Sequence, residues 1–127
     1  MLPRTPQYIL AAGESYPGEL KSQAVSGFGC PVFEQYVMRE VGLVGTQCVL
    51  DAGLHLFSTD IEVVSCKQQL WLTDLTNRID LYVNYLTGDF GEVGTVNPCR
   101  CGMAWPLLRE FQGREFGKPM STATVRG

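Results

Sequence analysis

The sequence predicts an α/β domain in which a β-α-β layer feeds a small, mostly antiparallel β half-barrel. Three observations lead there. Over residues 7–38 an apolar run, an amphipathic stretch and a β-branched run follow one another. Short strand-like runs then recur, separated by turn residues rather than by helical patterns. No internal repeat or low-complexity linker divides the 127 residues, so residues 1–127 read as one domain with a modest core.

The first run, "QYILAAGE" (7–14), ends in small residues and an acid, as a buried strand breaking into a loop does. Ser15 is placed to cap a helix whose first turn holds Pro17 and Glu19. Leu20, Ala24, Val25 and Phe28 recur at helical spacing as one apolar stripe, and Gly27 and Gly29 stop the helix. "CPVFEQYVM" (30–38) is β-branched and aromatic, hence the next strand, reached by a right-handed crossover. "GLHLF" (53–57), "DIEVVS" (60–65), "QLWLTDL" (69–75), "IDLYVNYL" (79–86) and "PLLREF" (106–111) supply the later strands. Leu70 and Leu72 alternate with Trp71 and Thr73; Leu81, Val83 and Tyr85 alternate with Tyr82 and Asn84. Thr87-Gly88-Asp89 and Gly91 are expected to break the 79–86 strand, and the tail 117–127 to be loose.

Composition narrows function by exclusion. A net charge of −3 and a pI near 5.0 give nothing that favours nucleic acid or an anionic membrane. No apolar run approaches a bilayer-spanning length, and "MLPRTPQYIL" lacks the long apolar segment of a secretory signal. A cytoplasmic location is therefore expected. Five cysteines, an odd number in a mid-sized chain, argue for reduced thiols over a disulfide framework.

Cys48 lies seven positions before His55, the single histidine, and Cys99 and Cys101 flank one residue well downstream. Three thiolates and one imidazole make a tetrahedral zinc shell that clamps two loops, with no open position and hence a structural role. The spacing is not that of a zinc finger. The same residues also read as a hydrogen-bonded strand histidine among small buried cysteines. Spacing alone leaves these two readings balanced. Cys30 and Cys66 stand in strand-like surroundings and are expected to pack in the core. A zinc-dependent redox or nucleic-acid role is disfavoured by the acidic balance and by Cys-x-Cys lacking thioredoxin-type spacing.

Taken in order, "YILAAGESYPGELKSQAVSGFGCPVFEQYVMREVGLVG", "GLHLF", "LTDLTNRIDLYVNYLTGDFG", "PCRCG" and "FQGRE" resemble the phenylacetate–coenzyme A ligase branch of the adenylate-forming (AMP-binding) enzymes. The resemblance is collinear from about Tyr8 to Arg114, and a Cys before "GLH" together with "CxCG" are features of that branch. It implies zinc at Cys48, His55, Cys99 and Cys101. It also implies ATP and a carboxylic acid joined as an acyl-adenylate, then transfer to coenzyme A.

The resemblance further implies a site. The family's Gly-Glu adenine loop falls on Ala12, Gly13 and Glu14. Its aromatic-glycine-x-Thr/Ser-Glu motif falls on "YVMRE", making Tyr36 the adenine-stacking ring and Glu40 the magnesium ligand. Its Tyr-Arg-Thr-Gly-Asp motif falls on "YLTGD", making Asp89 the ribose acceptor, and its Gly-Arg falls on Gly113 and Arg114, with Arg114 also reaching the ribose. The chain departs from the pattern at Val37, Arg39, Asn84 and Leu86, and it lacks the family's phosphate loop and C-terminal lysine domain.

Two functions follow as expectations. One is a ligase fragment that carries part of the adenine and ribose site and does not complete acyl-coenzyme A synthesis by itself. The other is a non-catalytic, zinc-stabilised module that binds nucleotide or a protein partner. Homo-oligomerisation fits both, because an incomplete domain exposes apolar faces.

Overall fold

Parallel pairing opens the chain: β1 (Ile9–Ala12) lies beside β2 (Val32–Met38), and α1 (Gly18–Phe28) makes the crossover between them. The computed structural model describes residues 4–13, 18–50, 53–94 and 99–114. Ser15, Pro17, Glu14 and the tail 117–127 lie outside the described residues. After β2 come β3 (Gly42–Gln47), β4 (Leu54–Leu56), β5 (Ile61–Cys66), β6 (Gln69–Asp74), β7 (Tyr85–Gly94) and β8 (Leu107–Gln112). All form one eight-stranded sheet in the order β1-β2-β3-β4-β8-β7-β6-β5, antiparallel beyond the first pair. This is the predicted α/β architecture, with a β-α-β layer running into an antiparallel sheet.

The core is built by period-2 alternation. Ile61 and Val63 of β5 point inward and Glu62 and Val64 outward, while Leu70 and Leu72 of β6 are fully buried. They meet Tyr36, Met38, Val44, Leu56 and Leu108 in a single cluster. Strands that are not neighbours in the sheet therefore share one core, which requires the sheet to curl.

Four expectations need correction. β3 was not foreseen: "GLVGTQ" has two glycines and few β-branched residues, yet it pairs with both β2 and β4. Gly45 is needed there, since a Cβ would stand 2.8 Å from the His55 carbonyl oxygen. Cys66 is exposed rather than packed in the core, because it sits at the outer end of β5 beside the Lys67–Gln68 turn. The apolar stripe of α1 buries nothing: Leu20 is 48% and Phe28 57% exposed.

The fourth correction concerns 79–86. Residues 79–84 form no strand, because side chains capture the backbone first. Asp74 Oδ1 accepts from the Thr76 and Asn77 amides, and Asn77 Oδ1 accepts from those of Ile79 and Asp80. Such local bonds compete with a ladder and hold the loop out, leaving Leu81 74% exposed. The strand instead begins at Tyr85 and runs straight through Thr87-Gly88-Asp89, the segment expected to end it. Gly88 makes that continuity possible, since its φ of +80° is open to glycine but costly for other residues.

Candidate functional site

Alternation along β7 puts Tyr85, Thr87 and Asp89 on one face, and the curl of the sheet brings that face to β2. Thr87 is fully buried; its hydroxyl donates to the Leu70 carbonyl and accepts from the Asp89 amide. Asp89 is thereby fixed, 8% exposed, with its carboxylate directed at Tyr36. The Tyr36 hydroxyl donates to Asp89 Oδ2 at 2.6 Å. Arg114, two residues past β8, sets Nε 3.9 Å from Asp89 Oδ1 and donates from Nη2 to the Thr87 carbonyl.

These groups border a cavity of about 500 Å³, whose walls include Gly13, Tyr36, Arg39, Glu40, Asp89 and Arg114. Of the residues that the resemblance singles out, Gly13, Tyr36, Glu40, Asp89 and Arg114 thus come together. Ala12 does not line the cavity; it pairs with Gln35 at the end of β1. Glu14 lies outside the described residues. Tyr36 is 4% exposed and its ring packs on Phe111 at 4.5 Å, so little of the ring borders the cavity.

The electrostatics follow from burial. Loss of water raises the Asp89 carboxyl above its ordinary range, while the Tyr36 hydroxyl and Arg114 hold it down in part. Burial, then the Asp89 hydrogen bond and charge, pushes the Tyr36 phenol far up, so Tyr36 stays a donor at any physiological pH. Sequence reasoning missed Tyr85, whose hydroxyl donates to Glu40 Oε1 at 3.1 Å; burial and then Glu40 raise its phenol. The signal was present: Tyr85 shares the period-2 face of Thr87 and Asp89.

A second cluster lies where β3, β4 and β8 adjoin. Cys48 directly follows β3, His55 is central in β4, and Cys99 and Cys101 stand on the loop before β8. The Gly102 amide bonds back to the Cys99 carbonyl, closing a tight turn that presents both thiols. One ligand atom from each of the four residues lies within 4.8 Å of the others. Cys48 Sγ is 3.5 Å from Cys99 Sγ, and Cys101 Sγ 3.3 Å from His55 Nε2.

The donor set fits a metal. A tetrahedral zinc shell with bonds of about 2.0–2.3 Å has ligand–ligand edges of roughly 3.3–3.8 Å, and a disulfide would need about 2 Å. His55 is fully buried and presents Nε2 to Cys101 Sγ, and its Nδ1 has no hydrogen-bond partner among the described residues. The Cys3His cluster can therefore hold a metal ion, and its sulfur-rich composition suits a soft or borderline one.

No family model matches the sequence, and no curated protein matches it. Solved structures do match its fold. An open conformation of 2-hydroxyisobutyryl-CoA ligase, in complex with 2-HIB-AMP and CoA, superposes with a TM-score of 0.74 at 18% identity, over 85% of this chain and 29% of the other. The same ligase in its postadenylation state, with 2-HIB-AMP, gives 0.73 at 18% identity over 85% and 26%. The chain thus spans less than a third of those structures, and shares with them the fold of that part of an adenylate-forming CoA ligase. No helix among the described residues is long and apolar enough to cross a membrane.

Proposed function

We propose that this chain is the adenosine-cradling part of an adenylate-forming acyl-coenzyme A ligase, of the phenylacetate–coenzyme A ligase type, and that a structural zinc holds its sheet. The observation that carries the reading is the Tyr36–Asp89–Arg114 constellation at the wall of a 500 Å³ cavity. A carboxylate kept on the cavity wall by a tyrosine hydroxyl and a guanidinium suits two adjacent hydroxyls, as on a ribose. Gly13 offers bare backbone to the base beside Tyr36. The ordered "GLH" and "CxCG" signals support the phenylacetate-type branch, and the donor set supports zinc at Cys48, His55, Cys99 and Cys101. A closed shell leaves zinc no open position, so its contribution is folding free energy.

In this reading ATP or AMP is the nucleotide, and a carboxylic acid and coenzyme A are the other reactants of the completed enzyme. Adenylyl transfer depends on several groups placing charge at once, so the full reaction belongs to an assembly larger than the cavity described. Titration of the zinc-loaded chain with AMP tests the proposal: saturable binding, weakened at least about tenfold by Asp89→Ala, supports it.

Leu86 stands half-buried where the motif carries arginine, and this favours a second reading, a zinc-held module without catalysis. Absence of AMP binding by a folded, zinc-loaded chain selects that module.

A further inference from the structure

Among the described residues, two cations and two carboxylates border the cavity, and three of them are engaged. Asp89 accepts from Tyr36 at 2.6 Å and faces Arg114 at 3.9 Å, while Glu40 accepts from Tyr85 at 3.1 Å. Arg39 is different: it is exposed, it borders the same cavity, and among the described residues no hydrogen bond or ion pair engages its guanidinium. It follows β2 directly and precedes Glu40, so the turn that presents the acid presents the cation too.

Magnesium fits this arrangement poorly. The ion demands near-octahedral oxygen ligation and is usually held by one or two carboxylates together with phosphate oxygens and water. Here the carboxylate clear of the Tyr36–Arg114 cluster is Glu40, which already accepts from Tyr85 and has a guanidinium as its chain neighbour. A permanently charged guanidinium at the rim repels a dication and supplies the positive charge that the dication would bring. A guanidinium is also shaped for the task, because its planar fork matches two phosphate oxygens.

We propose that Arg39 is the phosphate-recognising residue of the cavity, so that the site takes a nucleoside 5′-monophosphate, free or esterified, without a divalent cation. The inference rests on the nucleotide reading above and deepens it. Asp89 would take the vicinal hydroxyls at one end of the ligand, and Arg39 the phosphate at the other.

Calorimetric titration of the full, zinc-loaded chain with adenosine and with AMP, each in magnesium-free buffer without chelator and in excess magnesium, tests it. Zinc and magnesium contents are checked before and after each titration. Without magnesium, AMP binds at least about tenfold tighter than adenosine, the worth of one charged hydrogen-bonded contact. Magnesium changes the AMP affinity by less than about twofold. Arg39→Met brings AMP down to the level of adenosine, and Arg39→Lys restores part of the difference. Arg39→Met binding AMP as tightly as the parent, or AMP binding only with magnesium, overturns the proposal. Adenosine and AMP binding equally overturns Arg39 recognition alone; neither binding overturns the nucleotide site as well.

Discussion

Tyr36 on β2 and Asp89 on β7 are joined by a 2.6 Å hydrogen bond although three strands, β3, β4 and β8, lie between β2 and β7 in the sheet order. Only a strongly curled sheet allows this. The bond ties the β-α-β layer to the later strands, and it fixes a carboxylate at a cavity wall. Fold and candidate site thus depend on the same pair.

Asp89 is expected to oppose folding at neutral pH. Burial raises its carboxyl above the ordinary range, so between the ordinary and the raised value the folded chain retains a proton that the unfolded chain has released, and above both the folded chain bears a poorly solvated charge. Its contribution therefore falls as pH rises from the usual carboxylate range to the elevated value. Asp89→Asn keeps an acceptor for Tyr36 and removes the charge. It should raise the thermal midpoint at pH 7, narrow its difference from the parent near pH 3, and weaken AMP binding. Thermal unfolding across pH, with AMP titration, measures all three.

Tyr36→Phe should have the opposite effect on stability. It deletes the hydroxyl that satisfies a buried carboxylate and leaves the ring on Phe111 intact. A loss of about 1–3 kcal/mol is expected, read from denaturant unfolding at pH 7.

The sulfur cluster should act as one unit. The purified chain is expected to carry roughly one zinc per chain, and Cys101→Ser or a strong chelator should lower zinc content and thermal midpoint together. Elemental analysis beside thermal unfolding checks this. A metal-free chain with an unchanged midpoint contradicts it.

Gly45→Ala should reach the same cluster through the backbone. A Cβ at Gly45 meets the His55 carbonyl oxygen at 2.8 Å, so β3 and β4 must separate. Destabilisation of about 1–3 kcal/mol and weaker metal retention are expected together.

Much of this was legible in the sequence, and the remainder has identifiable causes. Leu70 and Leu72 were readable because alternation is the signature of a half-buried strand. Alternation misled at Leu81 and Val83, where Asp74 and Asn77 capture the amides that a ladder would need. The β3 segment was hidden by its glycines, one of which exists to let β4 approach. The helix at 18–28 was read correctly as a helix, but no residue of its stripe is buried, since periodicity reports a face and not its partner. The cysteine cluster was visible as a donor set; convergence on one point required β3, β4 and β8 to be neighbours. Tyr85 was within reach through its spacing from Asp89, yet its contact with Glu40 depends on the curl of the sheet.

The 79–84 loop offers a check on that correction. Leu81→Ser should change stability by less than about 0.5 kcal/mol, as expected for an exposed position; a strand with Leu81 inward would lose several-fold more. Denaturant unfolding decides.

The central claim, that Asp89 stands at the wall of an adenosine site, is tested most directly by comparing AMP with 2′,3′-dideoxy-AMP in calorimetric titration of the zinc-loaded chain. The account predicts that AMP binds and that removal of both ribose hydroxyls weakens it at least about tenfold, with no such difference in Asp89→Ala. Equal affinity for the two nucleotides in the parent chain, or no binding of either, would contradict it.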